Sequence, residues 1–255
     1  MYQGVLLDIS GVLYQDDEVL PGAVAAVRSL QQAGIALRLV TNTSRRTGEA
    51  IFYDLKRMGF AIATEQLYTA PRAMLDYIEL KSLRPYCLIH PSLETEFARL
   101  DHSNPNAVVV CDAGDRFDYK SLNKAFQVLM NDKAELLAVG DNRFFRGRGR
   151  LHLDAGPFVK ALEYASGKTA TVLGKPSADF FAIAVESMGL KPSQVLMVGD
   201  DVEADIAGGM AAGLDACLVK TGKYQAGDET KAPGCRLADD LLAMVENLFP
   251  VGIKS

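Results

Sequence analysis

The chain has 255 residues, 27 Lys and Arg against 32 Asp and Glu, a formal net charge of −5 and 49% hydrophobic residues. That length suffices for one large α/β domain or for a domain carrying a smaller inserted one, and the acidic balance excludes a general nucleic-acid binder. No stretch approaches the roughly 20 apolar residues of a membrane helix, and no basic leader precedes the first strand, so a cytosolic chain is expected.

A strand at Val5–Asp8 opens the chain, and the glycine turn Ile9-Ser10-Gly11 follows it. Beyond a turn rich in Asp16 and Asp17, a helix is predicted over Ala23–Ala33, with Pro21 and Gly34 as its start and stop signals. A strand Ile35–Val40 then ends in Thr41-Asn42-Thr43-Ser44, residues suited to capping a helix from about Arg46 to Met58. Residues 78–170 carry their own alternation. Strands are predicted at Pro85–His90, Ala107–Cys111 and Glu135–Val139, and helices at Leu93–Leu100 (capped by Ser92), Leu122–Met130 and Gly156–Ala165. The last part returns to helix Ala178–Met188, strand Val195–Gly199, helix Glu203–Ala212, strand Ala216–Val219 and a helix near Ala238–Leu248. This order implies an α/β chain: a doubly wound, Rossmann-like parallel-sheet core of residues 1–77 and 171–255, with a smaller α/β domain inserted at 78–170. Cys87, Cys111, Cys217 and Cys235 lie far apart, mostly in apolar runs, and read as reduced, buried thiols. There is no C-x-x-C pair, and His90, His102 and His152 lack zinc-ligand spacing.

Chemistry is expected at the strand ends. Asp8 and Asp200 each close an apolar strand beside a glycine, at the sheet edge where ligands of such folds bind. Together they suit Mg²⁺, which takes few protein oxygens and keeps several waters; either acid alone reads equally well as a solvated strand end. Thr41-Asn42 offers a hydroxyl and an amide before helix N–H groups, which is either a phosphate cradle or plain capping. Lys175, in Gly174-Lys175-Pro176-Ser177, supplies an ammonium that neutralises phosphoryl oxygens or clustered acids. Asp201 and Asp205 either support the metal site from behind or are ordinary helix-start acids. The arginines of Asp141–Arg150 read more readily as a solvated hairpin than as a grip on a distal anion, for which Arg143 is the candidate. Asp112 and Asp115 end a strand of the inserted region and are weaker candidates to face substrate.

Asp8-x-Ser10-Gly11-Val12, Thr41-Asn42, Lys175 and Gly199-Asp200-Asp201 resemble, in order, the four motifs of the haloacid dehalogenase (HAD) superfamily, and the inserted region resembles its C2-type α/β cap. Ala125–Met130, Lys160–Ala165 and Gly174–Ser177 extend the likeness to a subfamily acting on inorganic pyrophosphate and phosphoramidates. The resemblance implies Asp8 as nucleophile and Mg²⁺ ligand, with the carbonyl of Ser10 and the side chain of Asp200 as further ligands. It implies that residues Asp8 to Ser10, with Thr41, Asn42 and Lys175, hold the phosphoryl group; homodimers built through the cap are common in families of this likeness, and the sequence leaves the oligomeric state open. One departure is chemical. Most phosphatases of this superfamily carry a second aspartate, acting as general acid and base, where this chain has Ser10. Its loss costs about 10²–10⁴-fold in proton transfer. The cost is smallest where the leaving group departs easily, as from pyrophosphate or a phosphoramidate such as phospholysine or phosphohistidine. It is largest for sugar phosphates and other alkyl esters. The expected enzyme is therefore an Mg²⁺-dependent phosphohydrolase of small phosphorylated substrates, neither a nucleic-acid nor a membrane protein. The alternatives are an ester phosphatase and a scaffold that kept the fold without the chemistry. Dehalogenation is disfavoured, since attack on carbon needs no metal and leaves Asp200 and Lys175 without purpose.

Overall fold

A computed structural model describes residues 2–147 and 150–249. The chain divides into two compact units, one of Met1–Thr41, Phe52–Tyr68 and Pro176–Ser255, the other of Asn42–Ile51 and Thr69–Lys175. In chain order the described elements begin with β1 (Gly4–Asp8), the short hairpin β2 (Tyr14–Gln15) and β3 (Glu18–Val19), and α1 (Ala23–Gln32). Next come β4 (Ala36–Thr41), α2 (Gly48–Arg57), β5 (Leu67–Thr69) and α3 (Ala70–Leu80). Then follow β6 (Pro85–Leu88), α4 (Glu94–Phe97), β7 (Ala107–Val110), α5 (Tyr119–Leu129) and β8 (Glu135–Ala138). A second hairpin, β9 (Phe144–Gly147) with β10 (Arg150–Leu153), leads to α6 (Gly156–Ser166) and β11 (Thr171–Val172). The chain continues through α7 (Ala178–Glu186), β12 (Val195–Gly199), α8 (Gly208–Ala211), β13 (Asp215–Val219), β14 (Arg236–Ala238) and α9 (Leu241–Leu248).

The first unit is built on a six-stranded sheet of order β14-β13-β12-β1-β4-β5. Its centre is parallel, β1 pairing with both β4 and β12, and β12 with β13. All five residues of β1 and of β12 are buried, as expected of strands covered on both faces. From β1 the chain winds outward through β4 to β5, then returns to β12 and winds the other way. The order therefore reverses between β1 and β12, the switch point at which open α/β sheets leave a crevice beyond their carboxyl ends. Leu7 pairs with Val198, so the next residue of β1 is Asp8, and Asp200 lies two beyond Val198. The second unit holds a four-stranded parallel sheet of order β11-β8-β7-β6. Its strands are laid down one after another in one direction, and α5 packs on β6 and β7 and against α6.

Several elements differ from expectation, each for a local reason. The helix expected from Arg46 starts at Gly48, because the Thr47 hydroxyl, accepting from the Ala50 N–H at 3.1 Å, is the cap. Ser44 instead accepts from the Asp112 N–H at 2.9 Å. The helix expected over Leu93–Leu100 shrinks to a 3₁₀ turn, Pro91–Leu93, and the single turn α4. Its cap is the His90 ring, which accepts from the Ser92 N–H at 3.2 Å; Ser92 is not the cap. The Phe97 carbonyl accepts from the Leu100 N–H at 3.1 Å, a tightened closing turn, and the His102 ring lies 3.1 Å from the same oxygen, so the chain leaves the helix there. Where one helix was expected over Glu203–Ala212, a π-helical turn, Val202–Ala207, precedes α8. The short strands β2, β3, β5 and β11 went unpredicted, as did α3, whose start signals are present, and β14. Thr69 caps α3 by accepting from Arg72 N at 3.2 Å, with Pro71 in its first turn, and β14 pairs in parallel with β13. The cysteines are free, with Cys111 and Cys217 buried and Cys87 and Cys235 half-buried. None of the described helices is long and apolar enough to cross a membrane.

Candidate active site

The site starts from the tight turn after β1. The Ile9 carbonyl accepts from the Leu13 N–H at 2.9 Å, and the Gly11 N–H donates to the Tyr14 carbonyl at 2.7 Å. Gly11 has φ of 85°, a conformation open to glycine at no steric cost. The Thr221 hydroxyl, at the exit of β13, fastens the turn by donating to the Gly11 carbonyl. Ser10 is exposed, and its carbonyl stands outside these turn bonds.

Asp8, at the end of β1, and Asp200, after β12, are both buried, and Asp205 is fully so, with 0% exposure. A ligand oxygen of each lies within 4.8 Å of those of the other two. The Lys223 N–H donates to Asp200 Oδ2 at 2.7 Å, and the Asp201 N–H donates to Asp205 Oδ2 at 3.1 Å. Burial, with the Asp8 and Asp205 charges beside it, pushes the Asp200 carboxyl well above the usual range. Asp201 turns elsewhere. It accepts from the Glu203 and Ala204 N–H groups as the cap of the π-helical turn, and it pairs with Lys223 Nζ at 2.9 Å. Burial works against the Lys223 ammonium, but Asp201, Asp200 and Asp205 outweigh it and hold its pKa above the ordinary value.

Three buried carboxylates without histidine or cysteine are a donor set for a hard, oxygen-seeking cation. A divalent ion there would offset both the burial and the neighbouring charges that raise Asp200. Glycines make the room. A Cβ on Gly11 would come within 2.2 Å of Asp200 Oδ2, one on Gly222 within 2.0 Å, and one on Gly199 within 2.3 Å of Asp205 Oδ2. Gly222 also has φ of 57°. Gly222→Ala is therefore expected to strain the backbone by about 1–3 kcal/mol and to displace the Asp200 carboxylate. Thermal unfolding with and without Mg²⁺ checks this, the expected result being a lower midpoint and a smaller Mg²⁺-dependent rise than in the parent chain.

Of the other candidates, Thr41 is buried at the end of β4, whose Val40 pairs with Asp8, so the hydroxyl-bearing residue and the carboxylate leave neighbouring strands of one sheet. Asn42 and Lys175 belong to the other unit, where their hydrogen bonds join them: Asn42 Nδ2 donates to the Lys175 carbonyl, and Asn42 Oδ1 accepts from its N–H, both at 2.8 Å. Also in that unit, Arg45 forms a two-pronged ion pair with the buried Asp112, and its guanidinium lies 4.8 Å from the centre of the Phe145 ring. Arg143 lies against Phe144 at 5.8 Å, and Arg148 falls outside the described residues. Sequence reasoning missed Thr221, Gly222 and Lys223. Their signal was a third apolar strand, Ala216–Val219, ending in polar residues and a glycine, the same punctuation as at Asp8 and Asp200.

The fold and the carboxylate cluster define a hydrolase class that comparison with known proteins identifies. Residues 5–103 match the family model for haloacid dehalogenase-like hydrolases, and residues 172–244 match a HAD-hydrolase-like model. The chain is 41% identical over 256 residues to human phospholysine phosphohistidine inorganic pyrophosphate phosphatase, covering 97% of this chain and 94% of that one. It is 39% identical over 229 residues to bovine haloacid dehalogenase-like hydrolase domain-containing protein 2, covering 90% and 88%. It shares its fold with a 4-nitrophenylphosphatase from Thermotoga maritima, at a TM-score of 0.88 and 24% identity over 96% of this chain and 97% of the other. The chain belongs to the haloacid dehalogenase-like hydrolase family.

Proposed function

We propose that this chain is an Mg²⁺-dependent phosphohydrolase acting on inorganic pyrophosphate and on phosphoramidates such as phospholysine and phosphohistidine. The observation that carries this is the meeting of Asp8, Asp200 and Asp205 at the switch point of the sheet. The likeness to relatives named for those substrates supports the choice among phosphates. In this reading Asp8 and Asp200, with the main-chain carbonyl of Ser10, hold Mg²⁺, and Asp205 and Asp201 steady that set. The ion supplies charge neutralisation of the phosphoryl oxygens. Asp8 Oδ attacks phosphorus in line and forms an aspartyl-phosphate as the bond to the leaving group breaks; water then hydrolyses it and frees the carboxylate. The motif assigns Thr41, Asn42 and Lys175 to the phosphoryl group, which gathers negative charge that a hydroxyl and an ammonium stabilise. Residues 78–170 act as a C2-type cap that selects the substrate and pairs two chains, in the cytoplasm.

Ser10 explains the preference. A serine hydroxyl is a poor proton donor, so a leaving group that needs little protonation reacts and an alkoxide does not. Phosphate release from pyrophosphate, phospholysine, phosphohistidine and a panel of sugar phosphates tests the reading. The expected result is turnover of the first group that is abolished by chelation and restored by Mg²⁺. Faster turnover of the sugar phosphates would favour an ester phosphatase, and no Mg²⁺-dependent turnover of any of them would leave a scaffold.

A further inference from the structure

Asn42 is bonded to Lys175, a residue 133 positions away, through both ends of one carboxamide. Its Nδ2 donates to the Lys175 carbonyl and its Oδ1 accepts from the Lys175 N–H, each at 2.8 Å. The orientation of the amide is unambiguous, since an N–H can face only the oxygen and a carbonyl only the nitrogen. A side chain that occupies both polar groups of one residue acts like a strand partner and restrains the φ and ψ of Lys175. The contact is built in. A Cβ on Gly174 would come within 2.6 Å of Asn42 Oδ1, and one on Gly140 within 2.8 Å of Asn42 Nδ2, so the two glycines leave the space that the amide fills. Asn142 Oδ1 lies 3.5 Å from the same Nδ2, too long to compete. Lys175 itself is buried, with 3% exposure, so its side chain has little room to recover its position if its main chain shifts.

We propose that Asn42 is a positioning residue: its carboxamide serves the phosphoryl group through Lys175, by fixing the main chain from which the ammonium projects, and not by touching the phosphate. This rests on the assignment of Lys175 to the phosphoryl group made above. Misplacing a reacting or stabilising group by about 1 Å costs on the order of 10²-fold in rate. The asparagine effect should therefore exist only while the lysine side chain is present to be aimed.

A double-mutant cycle tests this, with Asn42→Ala, Lys175→Met and both together. The readouts are kcat and KM for pyrophosphate with Mg²⁺, and the rise in unfolding midpoint caused by inorganic phosphate with Mg²⁺, which still reports when turnover is lost. Asn42→Ala alone is expected to lower kcat/KM by roughly 10–100-fold and to shrink the phosphate-induced rise. Added to Lys175→Met, it is expected to change either readout by less than about twofold. An equal loss in both backgrounds would overturn the proposal, because Asn42 would then act on the phosphate or on the fold without the lysine. If Lys175→Met alone leaves turnover and phosphate binding intact, the assignment of Lys175 itself falls, a result distinct from additive losses.

Discussion

Replacement of Asp8 by asparagine is expected to lower phosphate release from pyrophosphate by roughly 10⁴-fold or more, the loss typical of removing a covalent nucleophile. Two effects combine. The amide oxygen is too weak a nucleophile to form the aspartyl-phosphate, and a neutral amide is a poorer ligand for a hard divalent ion. Loss of the fold is not the expected cause. Asn and Asp are isosteric, and in the buried cluster the Asp8 charge is, after burial, one source of the pressure that raises Asp200. Removing one charge should relieve that pressure. In chelator the variant should unfold at the same temperature as the parent or a higher one, while the Mg²⁺-induced rise shrinks. Phosphate release with thermal scans in chelator and in Mg²⁺ checks both halves. Wild-type turnover in the variant would remove Asp8 from the chemistry, and a lowered midpoint in chelator would contradict the electrostatic account.

How much of this was legible in the sequence depended on whether the signal was local. Asp8 and Asp200 could be named because each is punctuated the same way, by apolar strand, acid and glycine, and the βα alternation dictated a parallel sheet. Asp205 and Asp201 were visible only as a pair of acids near a helix start. Which of them turns toward the cluster is decided by a π-helical turn, in which Asp201 caps N–H groups while Asp205 folds back to the Asp201 N–H. No periodicity announces that turn. Lys223 and Thr221 are tied to residues 23 and 210 positions distant, contacts set by strand order and not by spacing. The shortened α4 is similar, since the His102 ring beside its end lies 2.9 Å from the Pro85 carbonyl, 17 positions back. Asn42 shows the limit most clearly. Its place after a strand suggested capping or a phosphate contact, whereas its amide is engaged with the main chain of Lys175.

Restoring an aspartate at Ser10 should raise hydrolysis of alkyl phosphates by about 10²–10⁴-fold, the range of a positioned general acid or base, while changing pyrophosphate hydrolysis much less. The position tolerates the change. Ser10 is exposed, and the turn that holds it is built from main-chain bonds of Ile9, Gly11 and Tyr14 together with Thr221, none of which uses the serine hydroxyl. A carboxylate there stays partly solvated, so the fourth acid near Asp8, Asp200 and Asp205 raises repulsion less than a buried one does. The asymmetry follows from where the proton is needed. Expelling an alkoxide without protonation is the slow event for an ester, so supplying a donor removes most of its barrier. A phosphate leaving group is stable as an anion and gains little in the first step, and only the second step, in which water is deprotonated to attack the aspartyl-phosphate, benefits for both substrates. The ratio of kcat/KM for a sugar phosphate to that for pyrophosphate, measured in both proteins, isolates the first step. A rise of tenfold or more in that ratio is the expected outcome, and an unchanged ratio would mean that Ser10 does not set the preference among leaving groups.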